Sequence, residues 1–147
     1  MSADDRIAAL RRFFEEEIPF HRSIGLQVRA AGPAGATLEV PPDPHLTGDP
    51  FRPAVHGGVL ATLIDSAGGL AVFCAVGPGD RVSTLDLRVD YLRPAAVDAA
   101  LTAEARVLRV GNRVAVTEVW VHQGDLAAAV ARGTAVYNVS PPPRGRS

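Results

Sequence analysis

The sequence has almost no cysteine, since Cys74 is the single thiol in 147 residues. One cysteine excludes both a disulfide framework within the chain and a metal cluster built on thiolates. Lysine is absent, so all 15 basic side chains are arginines. We attribute this mainly to genome composition, although arginine is also the better bidentate donor for phosphate groups.

The chain also lacks a charge excess of either sign. Its formal net charge is -1, and the charged residues form no acidic or basic blocks. This excludes the electrostatic footprint of a protein that binds nucleic acid or an anionic membrane, so recognition must depend on local contacts. The N-terminal residues show no continuous apolar segment of the signal-peptide kind, and we therefore expect a cytoplasmic protein. The length suits one domain.

The longest apolar run, residues 55–76, predicts a helix that is apolar on every side and is wrapped by the rest of the domain. Asp65 is its one ionisable side chain beyond the first turn. A carboxylate in such surroundings costs several kcal/mol unless it has a partner or a chemical role. Asp65 and the Gly68-Gly69 pair also argue against a membrane helix. Asp65 is the leading functional candidate, and the alternative is a structural carboxylate with a satisfied partner.

The pattern around this helix predicts an α+β fold. We expect an amphipathic helix within residues 1–19, a hairpin of strands 24–30 and 36–40, an irregular functional loop at 41–53, and a strand at 82–91. Strands 97–110, 113–123 and 126–139 should follow as an antiparallel meander, before a disordered tail at 140–147. Among the predicted elements, only the strands can cover so long an apolar helix, so we expect a curved antiparallel β-sheet wrapped around the long central α-helix.

Strand 82–91 alternates strictly between apolar and polar residues. This period predicts one buried face and one polar face. The predicted buried face comprises Leu85, Leu87, Val89 and Tyr91, and the predicted polar face comprises Thr84, Asp86, Arg88 and Asp90.

Several motifs, in this order and spacing, resemble the hotdog-fold thioesterases and, within them, the PaaI-like branch. The motifs are His56-Gly57-Gly58 before the central helix, Asp65 two turns later followed by residues 67–69, the strand 82–95, the hairpin 109–113, and residues 131–135 in the last strand. The likeness covers residues 20–139, the predicted thioesterase domain. One departure is that residues 48–53 contain no asparagine, which such sequences often carry before the His-Gly-Gly motif.

The resemblance implies hydrolysis of an acyl-coenzyme A thioester without a metal or other cofactor. Asp65 would be the general base or the nucleophile, and sequence leaves both open. Gly58 lies in the first helical turn, where a free N–H can donate to the oxyanion. His56 would steer the carbonyl or hold the loop. Ser83 and Thr84 offer hydroxyls to orient water, and the resemblance favours Ser83. Plain structural roles remain the alternatives.

Residues expected to bind the substrate and its coenzyme A portion lie at the helix start, at strand ends and in turns. The set is Gly57, Thr84, Arg93, Arg109, Gly111, Asn112 and Arg113. Guanidinium groups in turns suit the coenzyme A phosphates. The remaining histidines, His21, His45 and His122, have no metal-ligand spacing, and we expect them on the surface or in loops.

The helix geometry also predicts that two chains share each site. Gly58 and Asp65 are seven residues apart, about 10.5 Å along the axis, which is too far for both to touch one carbonyl. Antiparallel packing of two helices in a homodimer would bring Gly58 of one chain opposite Asp65 of the other. The resemblance implies the same dimer, or a tetramer built as a dimer of dimers.

Two other functions compete with thioester hydrolysis. A hotdog hydratase or dehydratase would normally show an Asp/His or Glu/His arrangement that is not found in this sequence. A non-catalytic acyl-CoA binding or sensing protein is compatible with the same fold.

Overall fold

One antiparallel sheet curves around one long helix in this computed structural model, which describes residues 1–143. The helices are α1 (Ala3–Arg12), α2 (Pro19–Ser23) and α3 (Gly57–Ala75). The strands are β1 (Gln27–Gly32), β2 (Gly35–Val40), β3 (Arg81–Tyr91), β4 (Leu101–Val110), β5 (Val114–His122) and β6 (Ala131–Ser140). Their order in the sheet is β1-β2-β4-β5-β6-β3, with antiparallel neighbours. The predicted α+β hotdog architecture is confirmed.

The core lies between α3 and the inner face of the sheet. Leu63, Ile64 and Leu70 of α3 are fully buried, as are Leu38 of β2 and Val119 of β5. Burying each such side chain contributes roughly 1.5–3 kcal/mol. By length and hydropathy α3 would be able to cross a membrane, but more than half of it is buried inside the fold, as in the core helix of a globular domain.

One side of α3 is left uncovered in its N-terminal half. Gly58 is exposed, and Gly57, Ala61, Thr62 and Asp65 are only partly buried. Helical spacing puts residues 58, 61, 62 and 65 on one face, away from the side chains that pack against the sheet. The expectation that the chain itself wraps this helix on every side is therefore wrong here. We call these five residues the uncovered stripe.

The N-terminal segment is made of three short helical pieces. Ser2 and Asp5 form a capping box at the start of α1. A π-helical turn, Phe13–Glu17, follows α1, and Ile18 is extended, as expected for a residue before proline. Pro19 ends this part, as predicted, but it also occupies the first turn of α2, where proline is favoured.

Side chains of this segment cover one edge of the sheet. Arg11 donates a hydrogen bond to the Val28 carbonyl of β1, and the Glu15 carboxylate accepts the Val28 N–H at 2.7 Å. Arg6 donates to the Phe73 carbonyl at 2.7 Å, at the C-terminal end of α3. The opposite edge, β3, has no strand neighbour beyond β6 within residues 1–143. Within the described part of the chain, only the β1 edge is therefore covered.

Three strands, β1, β4 and β6, begin several residues later than the pattern predicted. Strand β1 starts at Gln27 because Gly25, with φ +70°, turns the chain after α2 and the Leu26 N–H bonds back to the His21 carbonyl. Strand β6 starts at Ala131 because Asp125 caps a 3-10 turn, Leu126–Ala128. Local capping and turn geometry overrode the apolar pattern in both segments.

Strand β4 likewise starts at Leu101 and not at residue 97. The Gln123 side-chain amide holds the preceding turn by donating to the carbonyls of Ala96 and Ala99. The predicted hairpins around residues 33–34 and 111–113 and the β4-β5-β6 meander are confirmed. Ser140 extends β6 into the predicted tail, residues 141–143 have no regular structure, and residues 144–147 lie outside the described residues.

Candidate active site

Asp65 lies near the middle of α3, on the uncovered stripe. Its carboxylate oxygen Oδ1 accepts a hydrogen bond from the Thr84 hydroxyl at 2.6 Å. Its main-chain carbonyl accepts one from the Tyr137 hydroxyl at 2.7 Å. Within residues 1–143 the second carboxylate oxygen, Oδ2, has no hydrogen-bond donor. The carboxylate is therefore held through one oxygen and free at the other.

A β-bulge at Leu85 brings Thr84 to this carboxylate. The register between β3 and β6 shifts between Thr84 and Asp86, so Leu85 is the extra residue, and it is 61% exposed. Thr84 and Leu87, three residues apart, therefore share the inner face. The predicted strict alternation is wrong at this point, because a bulge inserts one residue and reverses the faces on one side of it.

Ser83 lies on the outer face of β3, because successive side chains of a strand point to opposite faces. It is exposed, and its hydroxyl makes no hydrogen bond within the described residues. The sequence offered both hydroxyls, and the resemblance favoured Ser83. The chain's own geometry favours Thr84 as the hydroxyl partner of Asp65.

The His56 ring caps the N-terminus of α3. Its Nδ1 accepts the Gly58 N–H at 2.8 Å, so the proton of the neutral ring lies on Nε2. A Cβ at Gly58 would lie 2.9 Å from this Nδ1, which explains why glycine stands here. The Gly58 N–H, predicted as the oxyanion donor, already has an acceptor in its own chain.

Gly57 carries the free donor at this helix end. Its N–H has no acceptor within residues 1–143, as expected for the first residue of a helix. The Tyr91 hydroxyl donates to the Gly57 carbonyl at 3.0 Å, and a Cβ at Gly57 would lie 3.2 Å from the Tyr91 ring. Tyr91 itself is 56% exposed, so its predicted burial is wrong. The first glycine of the motif thus presents the N–H that can meet an anion.

The loop before α3 is irregular, as predicted, apart from a 3-10 turn at Pro44–Leu46. It folds back on itself, because the His56 N–H bonds to the Leu46 carbonyl at 2.7 Å and the Gly48 N–H to the Ala54 carbonyl at 2.9 Å. Phe51 lies at the far end of this closed loop and is 93% exposed. The backbone that positions His56 is therefore well held, while the loop end presents an aromatic ring to solvent.

The predicted arginines lie at two ends of β3. The hairpin with Arg109 and Arg113 is level with the start of β3 but on the other side of β6, because Val114 pairs with Asn138 and Asn138 pairs with Ser83. Gly111 and Asn112 form the turn of that hairpin. Arg93 follows the other end of β3, where its N–H bonds to the Val130 carbonyl at 3.2 Å. Within one chain the hairpin arginines are therefore at the same end of the sheet as Thr84, and Arg93 is at the other end.

The roles of Tyr91 and Tyr137 were not predicted from the sequence. Tyr137 is almost fully buried, and its hydroxyl reaches the backbone of Asp65. A signal existed for Tyr137, since an inward-facing tyrosine in a strand needs a partner for its hydroxyl. The same signal applied to Tyr91, which the alternation placed on the buried face, but the sequence showed for neither tyrosine which main-chain carbonyl would accept its hydroxyl.

The histidines outside the motif have different surroundings. His21 was expected on the surface but is buried, with Nδ1 bonded to the Phe14 carbonyl and Nε2 to the Ser66 hydroxyl, each at 2.9 Å. Burial lowers the pKa of His21, so it is neutral near pH 7. His45 is exposed, and His122 bonds to Glu104. Within residues 1–143 no three His, Cys, Asp or Glu side chains cluster as metal ligands.

The family is shown by comparison with known proteins. The family model described as the thioesterase superfamily matches residues 53–129. A medium/long-chain acyl-CoA thioesterase, YigI of Salmonella typhimurium, is 33% identical over 155 aligned positions that cover 95% of this chain and 97% of that protein. The chain belongs to the thioesterase superfamily and is a thioester hydrolase.

Solved structures agree with this assignment. A crystal structure of a protein from the thioesterase superfamily has a TM-score of 0.82 and 35% identity, and the match covers 91% of this chain and 98% of that one. A Shewanella oneidensis protein related to the thioesterase superfamily also has a TM-score of 0.82, with 28% identity over 94% of this chain and 97% of that chain.

Proposed function

We propose that the protein hydrolyses acyl-coenzyme A thioesters to free acid and coenzyme A, with Asp65 as general base or nucleophile. The observation that carries this proposal is the Asp65 carboxylate, held through Oδ1 by Thr84 and without a donor at Oδ2 within residues 1–143. The relatives named as medium/long-chain acyl-CoA thioesterases support the same substrate class.

The free oxygen of Asp65 can act in two ways. As a base, Oδ2 takes a proton from water while the water oxygen attacks the thioester carbon. As a nucleophile, it attacks that carbon itself and forms a mixed anhydride that water then hydrolyses. In both routes the tetrahedral oxyanion collapses, the C–S bond breaks and the coenzyme A thiolate gains a proton. Thr84 would orient the carboxylate throughout.

The Gly57 N–H is our proposed oxyanion donor, in place of the predicted Gly58. An unpaired N–H at the first turn of a long helix combines a hydrogen-bond donor with the positive end of the helix dipole. The Gly58 N–H is used by His56, and this bond leaves the Nε2–H of His56 free to face the substrate. His56 would thus both cap the helix and steer the carbonyl.

Each site would combine two chains. Gly57 and Asp65 are eight residues apart, about 12 Å along the helix, so one carbonyl cannot easily contact both. The uncovered stripe and the open edge of β3 support antiparallel packing of two copies, with Gly57 of one opposite Asp65 of the other. A dimer of dimers remains our proposal for the full assembly.

The proposed coenzyme A contacts come from the exposed hairpin arginines. Arg109 and Arg113 form no ion pair within the described residues, so their guanidinium groups are available for phosphates. They lie at the same end of the sheet as Thr84, whose hydroxyl bonds to Asp65. This position supports a nucleotide bound on the Thr84 side of the proposed reaction centre. Arg93, at the other end of β3, is not part of this group within one chain.

The test is a thiol-release assay on purified protein with saturated and aryl acyl-CoAs. Release of coenzyme A that is lost in Asp65→Asn, with folding and acyl-CoA binding intact, supports the proposal. An isosteric amide can neither take the proton nor form the anhydride productively. Binding without thiol release across the panel would instead identify a binding protein. Retention of more than about a tenth of kcat in Asp65→Asn would make Asp65 structural.

A further inference from the structure

Two residues paired across β3 and β6 both reach Asp65. Thr84 and Tyr137 are direct register partners in this strand pair. Thr84 donates to the carboxylate at 2.6 Å, and Tyr137 donates to the main-chain carbonyl of the same residue at 2.7 Å. One cross-strand pair therefore holds both the side chain and the backbone of the proposed catalytic residue.

The space for the Tyr137 hydroxyl is built by a glycine of α3. A Cβ at Gly68 would lie 2.4 Å from the Tyr137 hydroxyl oxygen and 2.6 Å from the Thr117 hydroxyl oxygen. Neither distance is possible without movement, so any larger residue at Gly68 would push the hydroxyl away from Asp65. The Gly68-Gly69 pair, which the sequence marked as part of the family motif and as an argument against a membrane helix, lets α3 approach β6 here.

We propose that Tyr137 is a positioning residue, which holds the backbone of Asp65 so that its carboxylate meets Thr84 and the substrate. This rests on the proposed function, because it requires Asp65 to act on the thioester. Tyr137 contacts the backbone of α3 from within the core, and it acts through Asp65 and not on the substrate. A shift of that helical turn would misplace the reacting oxygen without removing any group that binds substrate.

Burial also keeps this tyrosine a donor. Desolvation, followed by the nearby negative charge of Asp65, raises the pKa of Tyr137 well above that of a free tyrosine. The hydroxyl therefore keeps its proton at any pH at which the enzyme would be assayed, and its hydrogen bond to the Asp65 carbonyl persists.

The test compares Tyr137→Phe with the control Ser66→Ala in the full-length protein. Ser66 is the next residue of α3, and its buried hydroxyl bonds to His21, so each variant loses one buried hydroxyl near Asp65. We expect Tyr137→Phe to lower kcat for acyl-CoA about tenfold with KM unchanged, and Ser66→Ala to keep kcat within about twofold. An unchanged kcat in Tyr137→Phe, or equal losses in both variants, would overturn the inference.

A double-mutant cycle with Thr84→Val separates positioning from general loosening. If Tyr137 acts by presenting Asp65 to Thr84, the loss caused by Tyr137→Phe is smaller once Thr84 is replaced, whereas independent effects multiply. Gly68→Ala gives a second route to the same loss if Tyr137→Phe does not fold, and a normal kcat in that variant overturns the inference. Activity in Asp65→Asn would instead refute the proposed function, whereas an inactive Asp65→Asn with a fully active Tyr137→Phe refutes this inference alone.

Discussion

Asp65 of α3 and Thr84 of β3 are 19 residues apart in the sequence and joined by a hydrogen bond of 2.6 Å. The bond links the central helix to the edge strand of the sheet, so the orientation of the proposed catalytic carboxylate depends on both elements. A hydrogen bond to a charged group contributes about 1.5–3 kcal/mol. Its loss should therefore be visible in kinetics.

Thr84→Val should lower kcat for acyl-CoA by roughly tenfold or more, because the carboxylate loses the donor that orients it. Valine keeps the shape of threonine and suits a strand, so folding should be retained. Ser83→Ala, one residue earlier on the outer face, is the control and should leave kcat within about twofold of wild type. Steady-state kinetics measure kcat for both variants. A larger loss of kcat in Ser83→Ala than in Thr84→Val would support the sequence prediction for Ser83.

Gly57→Pro should lower kcat by about 10²–10³-fold, as expected for loss of one oxyanion donor. Proline is tolerated at the first helical residue, and the ψ angle of His56, 130°, suits the residue before a proline. The substitution therefore removes the N–H while leaving the helix start intact. Kinetics and circular dichroism of the same preparation measure both effects.

Two controls isolate the N–H of Gly57. Gly57→Ala adds a Cβ 3.2 Å from the Tyr91 ring but keeps the N–H, so any steric effect appears there alone. Gly58→Pro removes the N–H that serves His56 and should cost less activity than Gly57→Pro. Gly58→Ala adds a Cβ 2.9 Å from His56 Nδ1 but keeps the N–H. A loss in Gly58→Pro that exceeds the losses in both Gly58→Ala and Gly57→Pro would return the oxyanion role to Gly58, as the sequence predicted.

A mixture of Asp65→Asn and Gly57→Pro chains should recover activity if the site is shared. A purified heterodimer would contain one intact site, with Gly57 from the first variant and Asp65 from the second, and should show about half of the wild-type activity. Each parent variant must first be shown to be folded and inactive. Heterodimers as inactive as their parents would place the whole site within one chain.

Arg109→Ala and Arg113→Ala should raise KM for acyl-CoA without changing kcat/KM for a short acyl thioester that lacks the nucleotide. The physical reason is that a guanidinium group bound to phosphate contributes only when the phosphate is present. Arg12→Ala, an exposed arginine of α1, is the control for a general change in surface charge. Equal losses on both substrates would refute nucleotide binding by the hairpin.

The buried His21 should make stability depend on pH below neutrality. Its pKa is lowered by burial from an ordinary value of 6.5, so the unfolded chain binds more protons than the folded one below that pH. The free energy of unfolding should therefore fall as the pH drops through 6.5 towards the lower folded value. Urea unfolding between about pH 5 and about pH 8 measures this, and His21→Gln should flatten the curve.

Two carboxylates of the loop before α3 do not contribute to the pH dependence in this range. Asp43 and Asp49 have pKa values lowered mainly by backbone hydrogen bonds from His45 and Phe51, respectively, so they affect stability only near or below the ordinary value of 3.8. An equally steep decline in His21→Gln would show that another group is responsible.

The central helix and the meander were predictable because their signals are local and strong. A run of apolar residues that includes Leu63 and Leu70, and turns such as the one at Gly111, read directly as helix and hairpin. The residues at which strands begin were less predictable, because they depend on hydrogen bonds to residues far away in the sequence. Gln123, for example, holds the turn before β4 through carbonyls more than 20 residues away.

Within the candidate site, residue types could be predicted but their partners could not. Asp65 was identifiable as a carboxylate in an apolar helix. The choice between Ser83 and Thr84 depended on a bulge at Leu85 that leaves no mark in an alternating sequence. Whether Gly57 or Gly58 has the free N–H for the oxyanion depended on which of the two donates to the His56 ring.

Closure of the β1 edge at Val28 by Arg11 and Glu15 also bears on solubility. An exposed strand edge can recruit further strands without limit, and a sheet open on both sides could extend into a filament. In the described chain, β3 is the one edge strand to which a further strand can add. If two copies pair through their β3 edges about a two-fold axis, each covers the open edge of the other, and the sheet cannot extend beyond the dimer.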